Sequence, residues 1–134
     1  MTRASPPPRA PSDPLGETLH LLRLTGTLYC RAELTAPWGV ELPHLEDCMI
    51  FLVVTAGQGW LDVDGEAPRL LRAGSLALIP HGVEHRVRSD RRVRAVPLDE
   101  LVVEQVSERY EILRHGGGGE FSHITGGVVR FEHI

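Results

Sequence analysis

The sequence predicts an all-β domain, a sandwich or a barrel, on three observations. Short runs of alternating apolar and polar residues follow one another from Thr27 to Ser89. Turn formers separate them at Ala36-Pro37, Ala56-Gly57-Gln58-Gly59, Asp64-Gly65 and Ala73-Gly74. No long helical pattern lies between the runs. Many short strands with Gly-rich turns bury their apolar faces only against a second sheet or around a barrel. A chain of 134 residues is long enough for one such domain with its own core.

Residues 1–14 contain Pro6-Pro7-Pro8 and little to bury, so a disordered Pro-rich arm is expected there, with the domain spanning 15–134. Leu15–Leu24 (LGETLHLLRL) spaces its leucines as a short amphipathic helix does. The strand candidates then follow in order: TLYCRAEL, WGVELP, CMIFLVVT, GWLDV, RLLR, SLALIP and HRVRS. Asp64-Gly65, between alternating runs, is a hairpin signal. Leu98, Leu101, Val102, Gln105 and Val106 share one helical face, which predicts a helical interruption over Leu98–Val106. The last stretch, RYEILRHGGGGEFSHITGGVVRFEHI, returns to strands around a glycine-rich loop expected to be mobile.

Composition narrows the function classes. A net charge of −4 argues against nucleic-acid binding by this domain. No apolar run reaches the roughly 20 residues of a membrane span, and no signal-peptide pattern is present, so a cytoplasmic location is expected. Cys30 and Cys48 form no CxxC pair and read as buried thiols. All 14 basic residues are arginine, a compositional bias.

The chemistry-bearing stretch is GSLALIPHGVEHRVRS, Gly74 to Ser89. Pro80 ends an aliphatic strand, Gly82 supplies the turn, and His85 opens the next alternating run, where it can point into a barrel. Gly74, Pro80, Gly82 and His85 fit the spacing G-x5-P-x-G-x2-H, and the segment resembles the second motif of the cupins. Ser89 stands where that motif usually has Asn. The resemblance implies a small jelly-roll barrel. The first cupin motif, G-x5-H-x-H-x3-4-E-x6-G, supplies three of the family's four metal ligands. Anchored on Gly57, it puts Ile50 at the glutamate position, Glu46 at the second histidine and His44 at the first. On a strand His44 and Glu46 would share a face. With His85 they would give the two-His-one-carboxylate set of a non-heme metal centre, for Fe or for Mn, Zn or Ni. The other reading is a rim of polar side chains satisfied by hydrogen bonds or water.

A closer resemblance covers nearly all of the chain beyond the arm. The Trp60 hairpin, LRAGSLALIPHG and LRHGGGG look like the cupin sensor domain of AraC-type transcription regulators. That implies an effector-binding or dimerising domain, here without its helix-turn-helix module, with a small-molecule effector and a homodimeric partner. Phe51 replaces the histidine usual before the Leu-Val of that strand. In this reading Trp38, His44, Glu46, Trp60 and His85 are the candidate ligand-binding residues, with His44, Glu46, Trp60 and His85 in the barrel interior and the two tryptophans lining a pocket at its mouth. The alternative is a metal-dependent cupin oxygenase or isomerase built on His44, Glu46 and His85. The blander alternatives are a barrel that only dimerises, and tryptophans that are simply core. The run RVRSDRRVR (Arg86, Arg88, Arg91, Arg92, Arg94) reads as a solvated face with Asp90 as a local partner, or as an anion patch. No nucleophile–base pair is evident.

Overall fold

The computed structural model describes residues 28–130. The expected arm and the Leu15–Leu24 helix lie outside them. Eleven strands and one 3-10 turn make up the described elements: β1 Leu28–Thr35, β2 Gly39–Leu42, β3 Cys48–Ala56, β4 Gln58–Val63, β5 Arg69–Arg72, β6 Leu76–Ile79, β7 His85–Arg88, β8 Val96–Pro97, the turn Leu98–Glu100, β9 Val103–Ser107, β10 Tyr110–Gly116 and β11 Phe121–Arg130. They form a six-stranded sheet, β6-β3-β11-β1-β10-β9, and a five-stranded sheet, β5-β4-β7-β2-β8. The all-β jelly-roll prediction therefore holds.

Alternation along each strand decides what the sheets enclose. Leu34, Ile50, Leu52, Val54 and Ile124 of the larger sheet meet Trp38, Leu61, Leu71 and Val87 of the smaller side in one buried cluster. Strand β3 is apolar on both faces. Its other face places Phe51 and Val53 with Val129, Tyr29 and Met49 in a second cluster on the outside of the larger sheet.

Two expectations fail for physical reasons. The helix over Leu98–Val106 is a single 3-10 turn followed by β9. Val103, Glu104 and Gln105 pair with Leu113, Ile112 and Glu111 of β10, and this pairing overrides the helical spacing. Val102, 89% exposed, shows that the supposed apolar face buries little.

The glycine-rich loop, expected to be mobile, is tied down by backbone. Gly117 N–H donates to Thr35 O at 2.9 Å, Gly119 N–H to Ala36 O at 2.7 Å, and Ala36 N–H to Glu120 O at 2.8 Å. Gly118 N–H donates to Thr35 Oγ1 at 3.0 Å. Side chains would block this approach. A Cβ on Gly117 would lie 2.6 Å from Pro37 Cδ, and one on Gly116, at φ 139°, would overlap the Thr35 carbonyl. Four consecutive glycines thus read as a backbone latch. We expect Gly116→Ala to lower unfolding stability by about 2 kcal/mol or more in denaturant titration, from the unfavourable φ plus the backbone clash.

Candidate functional site

The turn that ends β6 aims the next strand. Gly82 N–H donates to Ile79 O at 3.3 Å, with Pro80 and His81 at the centre of the turn. Gly82 sits at φ 60°, and its carbonyl accepts Leu45 N–H at 2.8 Å. A Cβ there would overlap the Leu45 carbonyl oxygen, so this position is closed to side chains. Strand β7 then runs with His85 and Val87 buried and Arg86 and Arg88 partly exposed on the other face.

His85 is fully buried, opposite Leu42 of β2 and Val63 of β4. Its Nδ1 lies 2.9 Å from Val83 O, which fixes Nδ1 as the protonated nitrogen. Nε2 is buried with no hydrogen-bond partner among the described residues. Burial pushes its pKa down, the Val83 hydrogen bond works against that shift, and the Arg86 charge adds to it.

The other expected metal donors are elsewhere. His44 and Glu46 lie on no strand; they occupy the irregular 43–47 connection and are exposed. The strand rule that would have put both on one face does not apply to them. Among the described residues no group of three or more His, Cys, Asp and Glu side chains could hold a metal. Ile50, where the motif has glutamate, is core. The structure does not bring His44, Glu46 and His85 together: two are exposed on the 43–47 connection and the third is buried in β7.

The two tryptophans part company. Trp38 is 1% exposed and points inward. Ser89, at the motif's Asn position, clamps its backbone: Ser89 Oγ accepts Trp38 N–H at 2.9 Å and donates to Trp38 O at 3.2 Å, and Ser89 N–H donates to the same carbonyl at 2.8 Å. Trp60 was expected inside the barrel, yet it lies on the outer face. Its neighbours Gly59 and Leu61 take the buried positions of β4, and a Cβ on Gly59 would lie 2.8 Å from Trp38 Cη2.

Inside the barrel is an apolar cavity of about 120 Å³. Its wall includes Cys30, Ala32 and Leu34 of β1, Trp38, Val87, Glu111 and Gly126. His44, Glu46, Trp60 and His85 do not line it. Sequence reasoning missed Cys30 and Ala32, although their i, i+2 spacing with Leu34 carried the signal. Burial, then the neighbouring Glu111, pushes the Cys30 thiol up to about 11, so it stays protonated and unreactive at neutral pH. Trp38 Nε1 is buried with no partner among the described residues.

Outside, the smaller sheet is ionic. Arg86 meets Asp64 at 2.6 Å, Glu41 at 3.5 Å, Asp62 at 3.7 Å and Glu84 at 3.9 Å. Asp90 does pair with Arg92, at 3.6 Å. None of the described helices is long and apolar enough to cross a membrane.

Comparison with known proteins gives the following. The family model described as Cupin matches residues 13–133. The HTH-type transcriptional regulator MtrA of Neisseria gonorrhoeae is 33% identical over 79 residues, 58% of this chain. The matched stretch spans only 26% of that regulator's length. Similar solved structures include a Cupin_2 domain of an XRE family transcriptional regulator from Enterobacter cloacae (17% identity, 75% of this chain and 77% of that one, TM-score 0.46). They also include a cupin protein from Bacteroides fragilis (17% identity, 83% and 74%, TM-score 0.49). The DMSP lyase DddQ from Ruegeria pomeroyi matches at 16% identity over 79% of this chain and 36% of that one, TM-score 0.41.

Two outcomes are expected here. Protonation of His85 is disfavoured in the folded state, so the unfolded chain takes up the proton first as pH falls through about 6.5. Stability is therefore full above that pH and declines below it, by at most about 1.4 kcal/mol per pH unit for each such group. His123, also shifted down, first by burial and then by Arg31, contributes with the same sign. Urea melts between pH 7.5 and 5.5 should show a shallower decline for His85→Leu. Ser89→Ala should cost roughly 1–2 kcal/mol, because Trp38 loses a buried partner.

Proposed function

The chain belongs to the cupin family, and we propose that it is the effector-sensing domain of an AraC-type transcription regulator, taking a small, largely apolar molecule into its barrel. The observation that carries this reading is the cavity of about 120 Å³ walled by aliphatic side chains and Trp38. An apolar void of roughly 150 Å³ stays dry and admits a molecule the size of benzene. Drug-sized ligands need roughly 300–1,000 Å³, so the effector is correspondingly small. The partial likeness to a transcriptional regulator supports the regulatory setting. Effector occupancy would act by favouring one arrangement of the domain with a partner, a second copy of the chain on this reading. The enzyme alternative gains no support from the interior, because its three donors are not together.

Ligand-observed NMR with benzene, toluene, phenol and indole tests the proposal. At least one should bind saturably and raise the unfolding stability by about 2.7 kcal/mol at a hundredfold excess over Kd. Ala32→Leu, which fills the cavity from β1, should weaken that binding at least tenfold while leaving the far-ultraviolet spectrum unchanged. Gly126→Val should do the same from β11. Binding unaffected by both variants would move the effector site out of the barrel.

A further inference from the structure

The outer face of the smaller sheet carries a second recessed site, unrelated to the barrel cavity. It is an open cleft of about 620 Å³ lined by Trp60, Asp62, Pro68, Arg88, Asp90, Arg91 and Arg92. Register builds its floor: Trp60 of β4 lies opposite Arg88 of β7, and Asp62 opposite Arg86. A tight turn builds one wall. Val93 N–H donates to Asp90 O at 3.0 Å, and Asp90 Oδ1 accepts Arg92 N–H at 2.9 Å. This holds Arg91 at the turn's centre, with its guanidinium carbon 5.3 Å from the Trp60 ring centroid.

The groups in the cleft are not all satisfied. Arg92 is matched by Asp90, and Arg88 meets Asp62 at 3.6 Å and donates to Arg91 O at 3.0 Å. Arg88 Nε is buried with no hydrogen-bond partner among the described residues. Arg91 has the Trp60 ring and no carboxylate within ion-pair distance among the described residues. Asp62 is shared by Arg88 and Arg86 and Asp90 pairs with Arg92, so Arg91 is the guanidinium of the cleft wall left without a carboxylate among the described residues.

From this arrangement we infer a binding site for an aromatic carboxylate. The Arg91 guanidinium lies within cation–π range of the indole and has no carboxylate partner among the described residues, and a guanidinium's N–H groups fit a carboxylate bidentately. One unpaired guanidinium beside the carboxylates of Asp62 and Asp90 suits a single carboxylate better than a multiply charged anion. The indole of Trp60 and the ring of Pro68 provide the apolar surface for the ligand's own ring. The site stands independently of the effector proposed for the barrel.

Titration of the full chain with benzoate, followed on the two indole N–H signals by NMR, tests the inference. Benzoate should shift the Trp60 signal saturably and leave Trp38 in place. Benzyl alcohol, without the charge, and inorganic phosphate, without the ring, should each bind at least tenfold more weakly. Arg91→Gln, in an exposed turn, should weaken benzoate at least fivefold without changing the thermal midpoint, whereas Ala32→Leu should leave benzoate binding unchanged. Any of four results would overturn the assignment: no saturable shift with benzoate, phosphate binding as tightly as benzoate, wild-type affinity in Arg91→Gln, or loss of binding in Ala32→Leu.

Discussion

The register of β7 is the constraint on which the rest depends. Four residues, His85 to Arg88, hydrogen-bond to β2 on one side and β4 on the other. Their pleat sends two side chains into the core and two onto the outer face. A slip of one residue would exchange these sets and put two guanidiniums in an apolar interior, which the desolvation of a charge forbids. The Pro80–Gly82 turn protects against that slip, because Gly82 is locked against the Leu45 backbone where no Cβ fits. The ionic pairs around Arg86 hold the outer side, each modest alone but joined in a network across three strands.

Once β7 is fixed, inside and outside have different chemistry. Inward, Val87 joins Trp38 and the aliphatic residues of β1, β3 and β11. Such a lining rewards the burial of apolar area and offers few polar partners. Outward, Arg88 stands beside Trp60, and the 90–93 turn brings Arg91 over the indole. Two recessed sites thus lie on opposite faces of one sheet. They differ in charge and size because successive residues of the same strands point in opposite directions.

Much of the fold was legible because alternation and turn residues state it directly. The strands from Leu28 to Arg88 were readable, as was the role of Asp64-Gly65. There Glu66 N–H donates to Val63 O at 3.0 Å with Gly65 at φ 87°. The failures have a common cause in pairing partners that a local pattern does not contain. The spacing of Leu98, Leu101, Val102 and Val106 is helical, yet an edge position beside β10 makes part of that run a strand. The four glycines look like slack until the Thr35–Pro37 backbone is seen against them. Residue type alone puts Trp60 in the interior, whereas the buried Gly59 and Leu61 on either side of it turn its side chain outward. The His44-Leu45-Glu46 reading assumed a strand where the chain makes a loop.

His85 shows how one motif residue persists without the set it resembles. A metal-binding imidazole needs other donors around its free nitrogen, and the described interior supplies none in a group. What it does supply is a carbonyl two residues back, which takes the Nδ1 proton and fixes the ring's orientation. Burial then favours the neutral form, so the ring sits in the core as a flat, mostly apolar body. The turn that in a metal centre would aim a ligand here aims a packing element. Its fixed geometry seats Val87 on the cavity wall and Ser89 on the Trp38 backbone. The sequence pattern therefore reports the conformation of the turn, and the chemistry depends on what the facing strands contribute.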